Sequence, residues 1–123
     1  MPNISTGIDL VEISRIEDAV KRFGDRFLTR IFTTSELELV GSSIPSLAAR
    51  FAAKEAVSKA LGTGIGLVSW QDIEILRDDL HPPLLVLHGK ADEVARKLGL
   101  TKWSVSLSHT REHATAVAVA LTE

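Results

Sequence analysis

The segment between Pro45 and Gly62 constrains this chain more than any other. Pro45 and Ser46 precede LAARFAAKEAVSKALG, an alanine-rich run of strong helix formers that stops at Gly62, and together these predict one long helix. Ala49, Ala52, Ala53, Ala56 and Ala60 gather on one side of it and are small enough to let another element approach closely. Arg50 and Lys54 share one sector of the wheel, and Glu55 and Lys59 share an adjacent one, so three cations and one acid cover about half of the helix surface. Taken alone, such a face is more often solvated than functional, because Glu55 and Lys59 form a favourable i, i+4 pair worth ~0.2–0.5 kcal/mol on any exposed helix.

Around this helix the pattern predicts a single small α+β domain. Ile4 to Ile13 mixes β-branched and apolar residues and reads as a strand. A helix follows with Ser14 as its N-cap and Ile16, Ala19, Val20, Phe23 and Phe27 as its apolar face. The segment TTSELELV places Thr33 or Thr34 ahead of Glu36, the start of a short second helix with a capping box. Beyond the long helix, Ser69–Leu76 and Leu84–His88 read as strands, and Lys90–Leu98 reads as a helix ending at Gly99. Last, WSVSLSH and ATAVAVALT both alternate with period two across the polar loop TREH and predict an antiparallel hairpin. Strand spacing is too irregular for repeated βαβ units, so the expected fold is an antiparallel sheet packed with a long central helix and shorter ones.

Several function classes fall away on composition. The 123 residues include no cysteine, which excludes disulfides and thiolate-bound zinc. A formal net charge of -2 gives no support to bulk nucleic-acid binding. No stretch approaches the roughly 20 apolar residues needed to span a bilayer, and MPNISTGIDL has no secretory pattern, so a cytoplasmic protein without membrane attachment is expected.

Four groups of residues can carry chemistry. Asp9 interrupts the apolar strand GIDLVEI; either it lies on a solvated face with Ile8 and Leu10 inward, or it is a costly inward acid that pairs or binds a metal. The turn GTGIG frees the backbone at Gly62 and Gly64 to approach a ligand, but it follows a helix C-terminus, where the dipole disfavours anions, so it is no P-loop. Phosphate binding there would draw its charge from Arg50, Lys54 and Lys59. Arg15, Arg22 and Arg26 fall within about 40° of one another on a continuous helix, a basic stripe that is either a solvated edge or a receiver for an acidic partner. His109 stands at the start of the hairpin loop in SLSHT, weak support for a site when taken alone.

From GIDLVEI through FLTRIFTTSE and ARFAAKEAVSKALGTGIG to WQDIEI and SLSHT, nearly the whole chain resembles the acyl-carrier-protein synthase family of phosphopantetheinyl transferases. The resemblance implies transfer of 4′-phosphopantetheine from coenzyme A to a serine of an apo acyl carrier protein, with magnesium required and adenosine 3′,5′-bisphosphate released. It gives Asp9 and Glu55 the role of magnesium ligands, and it overturns the solvated readings of both. Arg50, Lys54 and Lys59, with the backbone at Gly62 and Gly64, are then expected to hold the phosphates and nucleotide, with Ser108, His109 and Thr110 near the nucleotide. Lys59 is expected to stabilise the leaving phosphate, and the base is left open among a metal-bound water, Glu55 and Asp9. Arg15, Arg22 and Arg26 match the family's docking surface for its acidic carrier protein, and a homotrimer with interfacial sites is implied. The chain departs from the family at His81, Pro82 and Pro83, where a Gly-x-Pro turn is usual, which leaves the nucleotide contacts of that turn open. Two other readings share these residues: a non-catalytic module binding a phosphorylated cofactor, and a magnesium-dependent pyrophosphate hydrolase.

Overall fold

The computed structural model describes residues 3–76 and 82–123. The long helix α4 (Ile44–Ala60) is the centre of the molecule. On one side it packs against a three-stranded antiparallel sheet in the order β1 (Ile4–Glu12), β5 (His113–Thr122), β4 (Leu100–His109). Its other side meets β2 (Ile73–Leu76), which pairs antiparallel with β3 (Leu84–Leu87) as a separate two-stranded ribbon. The α+β expectation holds, with two sheets where one was expected.

Small side chains make the sheet–helix contact close. Ala114, Ala116, Ala118 and Ala120 of β5 and Ala49, Ala52, Ala53, Ala56 and Ala60 of α4 are all buried. Val11, Val57 and Val105 fill the larger gaps. The hairpin β4–β5 forms as its alternation predicts, with a register irregularity between Leu100 and Lys102.

The first helix differs from its expected form. It starts at Ile13, and the Ile13 N–H is satisfied at 2.8 Å by the Glu112 carbonyl of the β4–β5 turn, so Ser14 lies inside α1 (Ile13–Phe23) and caps nothing. Gly24, at φ 55 and ψ -129, then turns the chain into a separate α2 (Asp25–Ile31), a backbone shape that a Cβ disfavours. Phe27 therefore belongs to α2 and not to the apolar face of α1. The capping box of α3 (Thr34–Val40) is present as read, with Thr33 as N-cap and Glu36 reaching back. Residues 70–72 form a 3₁₀ turn before β2, so the expected strand at 69–76 shortens to its last four residues. Helix α5 (Gly89–Leu98) stops at Gly99 in the left-handed conformation, as expected.

Candidate active site

The faces of β1 are the reverse of what hydrophobicity alone would assign. Gly7, Asp9 and Val11 point towards α4, whereas Ile8 and Leu10 are 64% and 65% exposed. Asp9 is thus the inward acid of the two alternatives, with a side chain only 20% exposed. Gly7 is what brings the strand so near: a Cβ there would lie 1.8 Å from the Ala56 carbonyl oxygen. Asp9, two residues on, consequently faces the residues one before and three after Ala56 on α4.

Those residues are Glu55 and Lys59. The Lys59 ammonium lies 3.2 Å from Asp9 Oδ1 and donates to the Ile8 carbonyl at 2.9 Å. Burial, and after it the neighbouring charge of Asp9, push the Glu55 carboxyl above its ordinary range, against the opposing pull of Lys59. Asp9, Arg15, Glu55 and Lys59 line one cleft of about 430 Å³ floored by Ile16, Ala19, Phe27 and Phe51. Two acids of like charge open onto one cleft, and the Lys59 ammonium is paired with one of them. Among the described residues no third histidine, cysteine or carboxylate joins them in a metal-binding group. Two carboxylates with room for water and phosphate oxygens fit magnesium, which is held by few protein ligands and seldom by an all-protein cage.

Arg50 and Lys54 do not join this group. Lys54 is fully buried, and its ammonium donates to Glu36 Oε1 at 2.7 Å, the Ile73 carbonyl at 2.6 Å and the Trp70 carbonyl at 3.0 Å. All three of its donors are engaged, which corrects the expectation that it faces a phosphate. Arg50 is likewise buried, and its Nε donates to the Ile75 carbonyl at 3.1 Å. The part of α4's expected solvated sector that carries Arg50 and Lys54 is thus interior, while Glu55 and Lys59 open onto the cleft. Gly62 and Gly64 follow α4 as expected, and their N–H groups are spent on the Lys59 and Ser58 carbonyls.

Ser108, His109 and Thr110 are exposed and line no part of the Asp9–Glu55 cleft. Ser108 pairs with Thr115, which pairs in turn with Leu10, so it shares the outer face of the sheet. Arg15, Arg22 and Arg26, the arginines expected to dock a carrier protein, do not form one helical stripe, because Gly24 separates Arg26 from the other two. Arg15 lines the cleft, while Arg22 and Arg26 lie 5.6 and 5.7 Å from the centre of the half-exposed Phe23 ring.

Sequence reasoning missed the groove beside the cleft. About 620 Å³ in volume, it shares Ala19, Phe27 and Phe51 with the cleft and adds Phe23, Arg26, Arg30 and Trp70. Phe51 stacks on Trp70 at 4.7 Å between ring centres. A lone phenylalanine amid alanines in ARFAAKEA was the available signal, but it could as well have been core.

Comparison with known proteins identifies the family. The sequence profile of the 4′-phosphopantetheinyl transferase superfamily matches residues 5–118. The chain is 50% identical over 125 residues to the holo-[acyl-carrier-protein] synthase of Chlamydia caviae, spanning 98% of this chain and 99% of that protein. It is 52% identical over 123 residues to that of Moorella thermoacetica, spanning 98% and 94%. Its fold superposes on the Helicobacter pylori holo-[acyl-carrier-protein] synthase in complex with coenzyme A with a TM-score of 0.85 at 41% identity, covering 94% of this chain and 98% of that one. In sequence and in fold alike, the chain belongs to the holo-[acyl-carrier-protein] synthase family of the 4′-phosphopantetheinyl transferase superfamily.

Proposed function

We propose that this enzyme transfers 4′-phosphopantetheine from coenzyme A to a serine hydroxyl of an apo acyl carrier protein, requires magnesium, and releases adenosine 3′,5′-bisphosphate. The observation that carries this reading is the convergence of Asp9, Glu55 and Lys59 in one cleft. Asp9 and Glu55 are the residues to hold magnesium, which, when bound, neutralises charge on the phosphoryl oxygens. Lys59 binds a phosphate of the pyrophosphate and stabilises the leaving group. The serine proton is taken by Glu55, by Asp9 or by a water held at the metal, all within the same cleft.

Arg15 lines the cleft and Arg26 and Arg30 line the adjoining aromatic groove, with Arg22 over the Phe23 ring at its edge, and these cations suit an acidic carrier protein. We further infer a homotrimer. Its support is the apolar outer face of β1 and β5, where Ile4, Ile8, Leu10, Val117 and Val119 are exposed together. Ser108, His109 and Thr110 border that face and would serve the nucleotide in a neighbouring chain's cleft.

Intact mass of an apo acyl carrier protein, after incubation with this enzyme, coenzyme A and magnesium, tests the assignment. The expected result is a gain of one phosphopantetheine group that disappears with Asp9→Ala and with a chelator. Coenzyme A binding without any such gain would favour a non-catalytic module, and pyrophosphate cleavage independent of the carrier would favour a hydrolase.

A further inference from the structure

Lys59 stands on one of the acids. Its ammonium is shared between Asp9 Oδ1 at 3.2 Å and the Ile8 carbonyl at 2.9 Å, and the side chain is half exposed. The second acid of the cleft, Glu55, lies one turn earlier on α4. A phosphate ligand and a divalent cation therefore make opposite demands on the same ammonium. The phosphate draws it towards the cleft. The cation is repelled by it, because two cations about 4 Å apart beside one carboxylate oppose each other by enough to change a binding constant about tenfold.

Resting on the assignment of Asp9 and Glu55 as the cation's ligands, we propose that Lys59 is a competing counter-ion for Asp9 that couples the two ligands. While the ammonium stays on Asp9, the acids hold a divalent cation weakly. When a phosphoester draws the ammonium off Asp9, the cation tightens, and by reciprocity the cation improves binding of the phosphoester by the same factor. The Ile8 carbonyl is a second acceptor within reach, so the ammonium can leave Asp9 without losing every partner. Arg15 is the other cation lining the cleft, and no bond of that kind ties it to Asp9. A lysine that stays away from the acids until phosphate arrives would have little effect on cation affinity in the absence of phosphate.

Titration with Mn²⁺, read by electron paramagnetic resonance of the free ion, separates these roles. It is run on the natural enzyme and on Lys59→Gln, Lys59→Ala, Lys59→Arg and Asp9→Asn, with and without adenosine 3′,5′-bisphosphate, and thermal melting confirms that each variant is folded. Without nucleotide, Lys59→Gln and Lys59→Ala are expected to bind Mn²⁺ about tenfold more tightly than the natural enzyme. The strengthening by nucleotide expected of the natural enzyme should be lost in both, and Lys59→Arg should restore weak binding and coupling. Mn²⁺ affinity that depends on Asp9 but is unchanged or weakened by removing Lys59 would overturn the coupling alone. Binding that is indifferent to Asp9→Asn, or absent from every variant, would overturn the cation site and the coupling with it.

Discussion

Gly7 decides the active-site geometry at the scale of a single residue. The missing side chain lets β1 lie on α4 with the Ala56 oxygen where a Cβ would be, and the Ser5 hydroxyl donates to the Ala60 carbonyl one turn further on. The same contact sets Asp9 opposite Glu55 and Lys59. Gly7→Ala is therefore expected to cost about 3 kcal/mol or more through overpacking against rigid backbone. Urea denaturation should show this, together with a loss of transfer activity that persists at temperatures where the variant is fully folded. Unchanged stability and full activity would show that the strand need not lie so close. Glycine in ISTGIDL is visible in the sequence, but its reason is not, because the atom it makes room for lies 49 residues away.

The elements are locked together by a buried ion pair. Glu36 of α3 accepts from the Thr33 N–H at 2.9 Å and the Lys54 ammonium at 2.7 Å through Oε1, and from the Ile75 N–H at 2.9 Å through Oε2. One carboxylate thereby joins the α3 cap, α4 and β2. Burial pulls the Lys54 ammonium down from its ordinary range, with the Glu36 charge opposing. Removing one partner leaves the other charged and enclosed, so Lys54→Met is expected to destabilise by about 3–5 kcal/mol, with Lys54→Met/Glu36→Gln recovering part of the loss. Equal denaturation midpoints for the natural chain and Lys54→Met would refute the importance of the pair. The capping box was legible in TTSE because its partners are three residues apart. The ion pair was not, because its partners are 18 residues apart on separate helices and each half has an ordinary local explanation.

At the scale of the whole molecule, the outer sheet face asks for a cover. Ile8 stands opposite Val117 and Thr6 opposite Val119, which gives a continuous apolar band on β1 and β5. Sedimentation is expected to give three times the chain mass of 13.3 kDa. Ile8→Glu, which places a charge in that band without touching the core, is expected to give single chains and to abolish transfer while the isolated fold persists by circular dichroism. A monomeric natural enzyme with full activity would refute the assembly.

The sequence alone determined the central helix, the capping box, the C-terminal hairpin and the α+β class, since each rests on contacts or periodicities local in the chain. Motif resemblance supplied Asp9, Glu55 and Lys59. Only the tertiary structure decided which face of β1 is inward, that Arg50 and Lys54 are interior, that Gly24 splits the first helix, and that an aromatic groove adjoins the cleft. The Gly24 break is a backbone effect, and the other three share one physical reason. Hydrophobicity reports how much a residue avoids water, not what covers it. Here small residues face the helix, large apolar residues face outward on β1, and two cations are satisfied by carbonyls and a carboxylate from distant elements.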